Sequence, residues 1–435
     1  MSKFQIVVFG IFIAAVAGGL TLFALYKGGT KDTTYNVKIW GTLDGGMVSD
    51  YLKIAQASSN EEFTFTYRQL RPETMYQNYV ESLVSGTGPD ILLLPHDMVW
   101  LFKSKITQIP YDSYPEKEFK TTFIQEGELY LDSTGVLALP FAVDPMVMYW
   151  NRDIFTNALI STPPKYWEDF LALPLELTKK DAATNIIQSA VGLGEYTNIT
   201  HAKETLSLLM MQAGNPITVK NNGNLRATLT TAASSNALSP ANSALSFYTQ
   251  FANPIKQVYS WNRSLPDAKT YFTSNRLAVY FGLASEFREI SIRNPNLNYD
   301  VAVIPQRKPQ TGVAANNMTY GKMSGLSIAR STRNPAATMK AMRLLTSAKL
   351  IPTWVKQTTL PSVRRDSLGI DASKAESNIF ATSALISRGW LDPDYKKSAI
   401  IFKDMIESVT SNRMGVENAI QQAHGEMVDS ISAVK

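Results

Sequence analysis

Val37-Lys-Ile-Trp40, Phe63-Thr-Phe-Thr-Tyr67 and Ile91-Leu-Leu-Leu94 are three strand-forming runs, and the two gaps between them each hold one helix-forming stretch. The first run is β-branched and aromatic, ends at Gly41, and leads through a turn into a helix predicted over about 47–57. The second alternates with period two, and Arg71-Pro72-Glu73 then opens an amphipathic helix carrying Met75, Tyr79, Leu83 and Val84. Gly88-Pro89-Asp90 stops that helix before the third run, whose unbroken apolar character fits a strand buried on both faces. Strand, helix, strand, helix, strand specifies a parallel sheet with covering helices, and so an α/β fold. Ligands of such sheets sit beyond the carboxyl ends of the strands. That rule singles out Trp40, Asp44, His96 and Asp97.

The chain has 435 residues, too many for one ordinary core, so two or three folding units are expected. With 45% hydrophobic and 18% charged residues the composition is globular rather than disordered. The formal net charge of +5 is spread along the chain without dense Lys/Arg runs, which argues against nucleic acid as a partner. Without a single Cys there is no disulfide, thiolate metal site, cysteine nucleophile or lipid-attachment residue. The three histidines, His96, His201 and His424, lie far apart in no metal-binding spacing, so neither a metal nor any cofactor is expected. Phosphate-loop and dinucleotide motifs are missing too, since Gly192-Leu-Gly194-Glu-Tyr lacks a third glycine, and no G-x-S-x-G elbow exists.

At the N-terminus, Phe4 to Leu25 is almost wholly apolar and lies between Lys3 and Lys27. A helix needs roughly 20 such residues to span a bilayer. Ala15-Val16-Ala17 offers a signal-peptidase site, but Leu20 to Leu25 continues the apolar run past it, so an uncleaved anchor over 1–26 is expected rather than a removed signal. The polar stretch 27–35 reads as a flexible linker. Lysines on both flanks leave the orientation undecided. Lys220 to Ser243, rich in Asn, Ala, Ser and Thr, reads as a loop or hairpin insertion.

Further along come Gly135-Val-Leu-Ala-Leu-Pro-Phe-Ala-Val-Asp144 running into Met148-Tyr-Trp-Asn-Arg-Asp-Ile-Phe155, then Pro164-Lys-Tyr-Trp-Glu-Asp-Phe170. Tyr271 to Gly282, Tyr299 to Pro305, and Gly325-Leu-Ser-Ile328 followed by Asn334-Pro-Ala-Ala337 complete an ordered set with Ser85 to Ile91. This set resembles the family 1 extracellular solute-binding proteins of ABC importers, the maltose-binding-protein-like receptors, over most of the chain from about Asn36. Asn275 departs from the family's usual glycine, which Asn tolerates because it also accepts left-handed backbone angles. The resemblance implies a two-lobe periplasmic-binding-protein-like (type II) fold whose multi-strand hinge is a strand pair at 135–155. By the same analogy, lobe one is 36–142 plus 300–345, and lobe two is 143–299 plus 346–435. It also implies a small-molecule solute as ligand, ABC permease subunits as partners and an extracytoplasmic body, here held at the membrane by the N-terminal helix. A monomer is expected.

Site candidates follow from both readings. Trp40 and Trp261 could stack a sugar face, Trp261 from a polar loop; core packing is the competing reading for Trp40. Asp44 and Asp97 could accept hydroxyl hydrogen bonds, and Asp144 at the hinge could contact ligand or satisfy hinge backbone donors. His96 reads as a loop residue beside Asp97. Phe281, Tyr320 and Trp354 match cleft regions of the family by position, although such residues are more often core. An aromatic content of 10% favours carbohydrate as the solute. Two other classes stand beside the receptor reading. One is an anchored glycan hydrolase drawing a carboxylate pair from Asp44, Asp97, Asp144 and Glu286; the other is a receptor-like protein for adhesion or sensing.

Overall fold

The computed structural model describes residues 2–25, 34–60, 62–221, 223–230, 239–309, 316–369 and 374–434. The expected linker at 27–35 falls outside them except at Thr34 and Tyr35. Lys3–Leu25 is a single helix, α1, with Phe4, Val7, Phe9, Ile11 and Phe12 among its exposed side chains. Several α1 side chains are outside the description, and among the described residues no helix is long and apolar enough to cross a membrane.

The first sheet segment follows the pattern expected. Strands β1 (Tyr35–Gly41), β2 (Phe63–Gln69) and β3 (Ile91–Pro95) alternate with helices α2 (Gly45–Ser58) and α3 (Pro72–Ser85), and α4 (His96–Phe102) follows β3 directly. β1 lies between β2 and β3, parallel to both. Local chemistry sets the helix ends. The Asp44 carboxylate accepts the Met47 N–H at 2.9 Å and starts α2, while Pro72 starts α3 and Gly86, at φ 66°, ends it. Ile91 to Leu94 are at most 1% exposed, as a two-sided burial requires.

The rest of the sheet is built by β4 (Leu139–Asn151), β5 (Ile186–Val191), β6 (Leu277–Leu283), β7 (Tyr299–Val303) and β8 (Thr319–Ala329). Two later helices matter below, α5 (Ala202–Gln212) and α6 (Tyr395–Thr410). The strand order is β2-β1-β3-β8-β4-β6-β5, with Lys179–Lys180 beyond β5 and β7 on the second part of β4. β4 is the strand shared by both halves of this path. Its residues 139–145 pair antiparallel with β8, and its residues 146–151 pair antiparallel with β6 and β7.

Proline marks both irregularities of β4, because it cannot donate to a ladder. Pro140 stands opposite Gly325, where the β8 register shifts, and Pro145 stands where β4 changes partners. The Pro145 carbonyl stays in use, accepting the Ala284 N–H at 2.9 Å. The expected strand pair over 135–155 is therefore one continuous 13-residue strand. Residues 135–136 pair separately with Ile109–Pro110, and Arg152–Asn157 is helical because the Asn151 side chain caps Ile154 N–H at 3.0 Å. The stretch Pro164 to Phe170 leads into a short 3₁₀ turn, Trp167–Leu171, before the helix Leu173–Leu177. Asn275 has φ 63°, the conformation its side chain tolerates.

The insertion at Lys220 to Ser243 begins as part of an antiparallel hairpin, Thr218–Asn221 with Asn224–Ala227; residues 231–238 lie outside the description. Ser239 then caps a helix over Pro240–Thr249. Two segments pack differently from the expected lobe division. β7 pairs with the second part of β4, whereas the stretch around Trp354 and Val363 returns to the first half. There Trp354 packs edge-on against Tyr51 at 5.7 Å, and Ile124 N–H donates to the Val363 carbonyl at 3.0 Å.

Candidate functional site

A cavity of about 410 Å³ opens at the carboxyl ends of the strands and is walled by both halves of the sheet. The first half contributes Thr42 after β1, Pro72 and Glu73 at the start of α3, and Pro95, Asp97 and Met98 where β3 runs into α4. The second contributes Tyr196, Thr197 and Thr200 from the loop after β5, Lys203 and Glu204 from the first turn of α5, and Tyr395 and Ala399 of α6. Lys322 of β8 joins them.

The loop after β5 is held by its own chemistry. Gly194 has φ 106°, and a Cβ there would lie 2.6 Å from the Ala252 nitrogen, so the turn that presents Tyr196 needs glycine. Behind Thr200, the His201 ring meets Glu286 Oε1 at 2.5 Å, Tyr280 Oη donates to Glu286 Oε2 at 2.6 Å, and Leu283 N–H donates to Oε1 at 3.0 Å. Burial alone would raise the Glu286 pKa, but His201, Tyr280 and Lys269 outweigh it and hold the carboxyl down at about 2. Burial would lower His201, and the same Glu286 contact raises it instead.

Lys203 Nζ donates to Asp392 Oδ2 at 2.6 Å and to Ser398 Oγ at 2.7 Å, with its ammonium 5.1 Å from the Trp390 ring centre. Burial works against that ammonium, but Asp392, Glu204 and Asp97 raise its pKa above the usual lysine value. Asp97 Oδ1 is buried with no hydrogen-bond partner among the described residues. Tyr196, pushed up to about 12 mainly by burial, stays a neutral phenol. The walls touch at one rim, where Tyr395 Oη donates to the Pro72 carbonyl at 2.6 Å and the Lys396 ammonium donates to the Glu73 carbonyl.

Of the nine side chains selected from sequence, Asp97 lines this cavity. Trp40 is 8% exposed and packs in the core under the Arg68 guanidinium, 4.8 Å from its ring centre. Asp44 is the α2 cap. His96 is fully buried rather than in a loop: Nδ1 accepts the Met323 N–H at 3.2 Å, which leaves Nε2 to donate to Tyr320 Oη at 3.2 Å. Burial pushes its pKa down to about 4, so it is neutral. Asp144 satisfies a hinge backbone donor, Ser285 N–H at 2.9 Å, and is raised to about 6 by burial. Trp261 is fully buried, donating to Asn198 Oδ1 at 3.1 Å and packing edge-on to Tyr271. Phe281 packs against Trp167 and Phe170, Tyr320 against His96, and Trp354 against Tyr51 and Phe141. Sequence reading missed Tyr196, Thr200, Lys203, Glu204 and Tyr395. The strand-end rule applied to β5 would have found the first four; Tyr395 arrives by tertiary packing alone.

Two α/β halves joined through a shared strand, with a polar cavity between them, define a two-lobed binding protein. Residues 64–350 match the family model of the bacterial extracellular solute-binding proteins, and the chain belongs to that family. It is therefore a binding protein, which sets aside the hydrolase reading. A Brucella abortus (strain 2308) protein described as a binding protein is 21% identical over 415 residues, covering 92% of each chain. Among solved structures, a cyclo/maltodextrin-binding protein complexed with maltotetraose superposes with TM-score 0.73 at 14% identity, over 93% of this chain and 100% of that one. An ABC transporter solute-binding protein of Thermotoga lettingae bound with α-D-tagatose gives TM-score 0.66 at 19% identity, over 92% and 100%. An ABC substrate-binding protein of Listeria monocytogenes in complex with cycloalternan gives TM-score 0.70 at 13% identity, over 92% and 99%. At these identities the likeness speaks for the fold.

Proposed function

We propose that this protein is the extracytoplasmic receptor of an ABC importer, taking a solute of carbohydrate class between its lobes and presenting it to permease subunits. The observation that carries the reading is the cavity of about 410 Å³ with walls from both halves of the sheet. A ligand touching both walls favours the closed arrangement by its differential affinity for it, and a docked permease can read that arrangement. The saccharides bound by the structural relatives support carbohydrate as the class. In our division, lobe one carries β1, β2, β3, β8 and the first part of β4, and lobe two carries the second part of β4 with β5, β6 and β7.

The membrane attachment belongs to the same reading. At 1.5 Å per residue a helix of 23 residues is about 35 Å long against a hydrocarbon core of about 30 Å, and the full apolar run Phe4 to Leu25, read from the sequence and not from the described side chains alone, supports the anchor. Its exposed Phe, Ile and Val side chains gain nothing in water. The test is a thermal-shift screen of residues 34–435 against a solute library, with fractionation of the full chain. Stabilisation by saccharides, and recovery of the full chain in membranes from which carbonate does not strip it, is the expected outcome. Saccharides without effect would sink the ligand class, and release by carbonate would sink the anchor.

A further inference from the structure

The charges around the cavity are not balanced. Of its two lysines, Lys203 is committed to Asp392 at 2.6 Å, and Lys322 stands opposite Asp144 in the register of the β8–β4 pair. Against these two lysines the walls carry three carboxylates, and Asp392 has already taken Lys203. Glu73, Asp97 and Glu204 line the cavity, and none of them is in an ion pair with a described residue. Asp97 carries the stronger sign of an unfilled role, because its Oδ1 is cut off from solvent and accepts no hydrogen bond from a described residue. A buried acceptor without a donor is costly unless something fills the place.

The placement of these groups gives the imbalance a mechanical meaning. Glu73 and Asp97 sit on the first half, at the starts of α3 and α4, and Glu204 sits on the second, in the first turn of α5. Bringing the halves together brings Glu73 and Asp97 towards Glu204 across a cavity from which water is being expelled, where repulsion grows, and Lys203, shared with Asp392, offsets only part of it. A neutral solute leaves that cost in place. A cation between the walls reverses its sign, and Tyr196 adds an aromatic ring to the lining.

We infer that the solute of this receptor carries a positive charge: within the carbohydrate reading, on which this inference rests, it is an amino sugar or a short glycan of amino sugars, with its ammonium held between Asp97 and Glu204. The two carboxylates are specificity-determining residues, and with Lys203 committed to Asp392 the walls offer little attraction to an anionic solute.

The test compares saccharides that differ in charge alone. Glucosamine oligomers, their fully N-acetylated counterparts and maltotriose are titrated into residues 34–435 by calorimetry at low and high salt. The expected result is binding of the free-amine oligomers at least about ten-fold tighter than of the acetylated ones, weakening with salt. Asp97→Asn and Glu204→Gln should each lose about ten-fold for the amine form, with the unfolding temperature of the unliganded body retained. Equal or tighter binding of the acetylated oligomers or maltotriose overturns the charge inference and leaves the carbohydrate receptor standing. A parallel titration with putrescine separates the two claims from the other side, since binding of this diamine with no binding of any saccharide upholds the charge and overturns the carbohydrate class. Silence from every probe overturns both.

Discussion

His201 and Glu286, pinned together behind the cavity wall, make stability depend on pH with a definite sign. Glu286 is held at about 2, below its ordinary 4.5, so its contribution is present above 4.5 and is lost as pH falls through about 2. His201 is raised above its ordinary 6.5, so its contribution is present below 6.5 and is lost as pH rises through the folded value. Glu286→Gln should therefore cost most between pH 4.5 and 6.5, about 2–4 kcal/mol, with urea unfolding across the pH range as the measurement. A deficit that does not change with pH would remove the ion pair as its cause. Asp144 has the opposite sign. Its carboxyl is raised to about 6, so ionisation costs stability as pH climbs from 3.8 through 6. Asn at this position keeps the acceptor for Ser285 N–H without the charge. The side chain is half-buried and partly screened, so Asp144→Asn should gain about 1–2 kcal/mol near pH 8 and nothing near pH 3.5. Trp261→Ala should cost about 3–5 kcal/mol and act on binding through that loss, because the ring is fully buried. Ser260, Asn262, Arg263 and Ser264 made the segment read as a polar loop; the contacts that bury the ring come from Asn198 and Tyr271, distant in sequence. Asp97 was legible because a strand-end rule needs only local sequence.

Elements were legible where their determinants are local. The three opening strands lie where alternation and apolar runs put them, and Asp44 and Pro72 set the helices between them. β4 was legible only as a strand pair and not as one strand, because its course through Pro140 and Pro145 depends on distant partners that leave a ladder bond dispensable at each. Its partner β8 shows the same dependence on distant residues at Gly321. A Cβ there would lie 2.0 Å from Oε2 of Glu126, a carboxyl 2% exposed and raised to about 8 by burial. An added methyl must push that buried carboxyl aside, so Gly321→Ala should cost about 1–3 kcal/mol. Shortening the obstructing side chain with Glu126→Ala should return much of that loss in a double-mutant cycle of chemical denaturation. Additive losses would mean that the strain at Gly321 has another source.

At the scale of the whole molecule, the two lobes meet on the cavity side through the rim formed by Tyr395 and Lys396 against Pro72 and Glu73. These bonds exist only while the halves are together, so they contribute to closure and not to either lobe by itself. A neutral hydrogen bond of this kind is worth about 0.5–1.5 kcal/mol net. A ligand that needs the closed form feels the whole of that change, since its apparent affinity scales with the fraction of molecules able to hold it. Tyr395→Phe keeps the ring in the cavity wall and removes the bond to the Pro72 carbonyl. Binding of the solute found in the screen should weaken about 2–10-fold, mainly through faster dissociation. The radius of gyration of the unliganded body, measured by small-angle scattering, should rise at the same time, because the open arrangement gains population without help from any ligand. An affinity loss with an unchanged radius would place the effect of the hydroxyl on the solute itself and not on the meeting of the lobes.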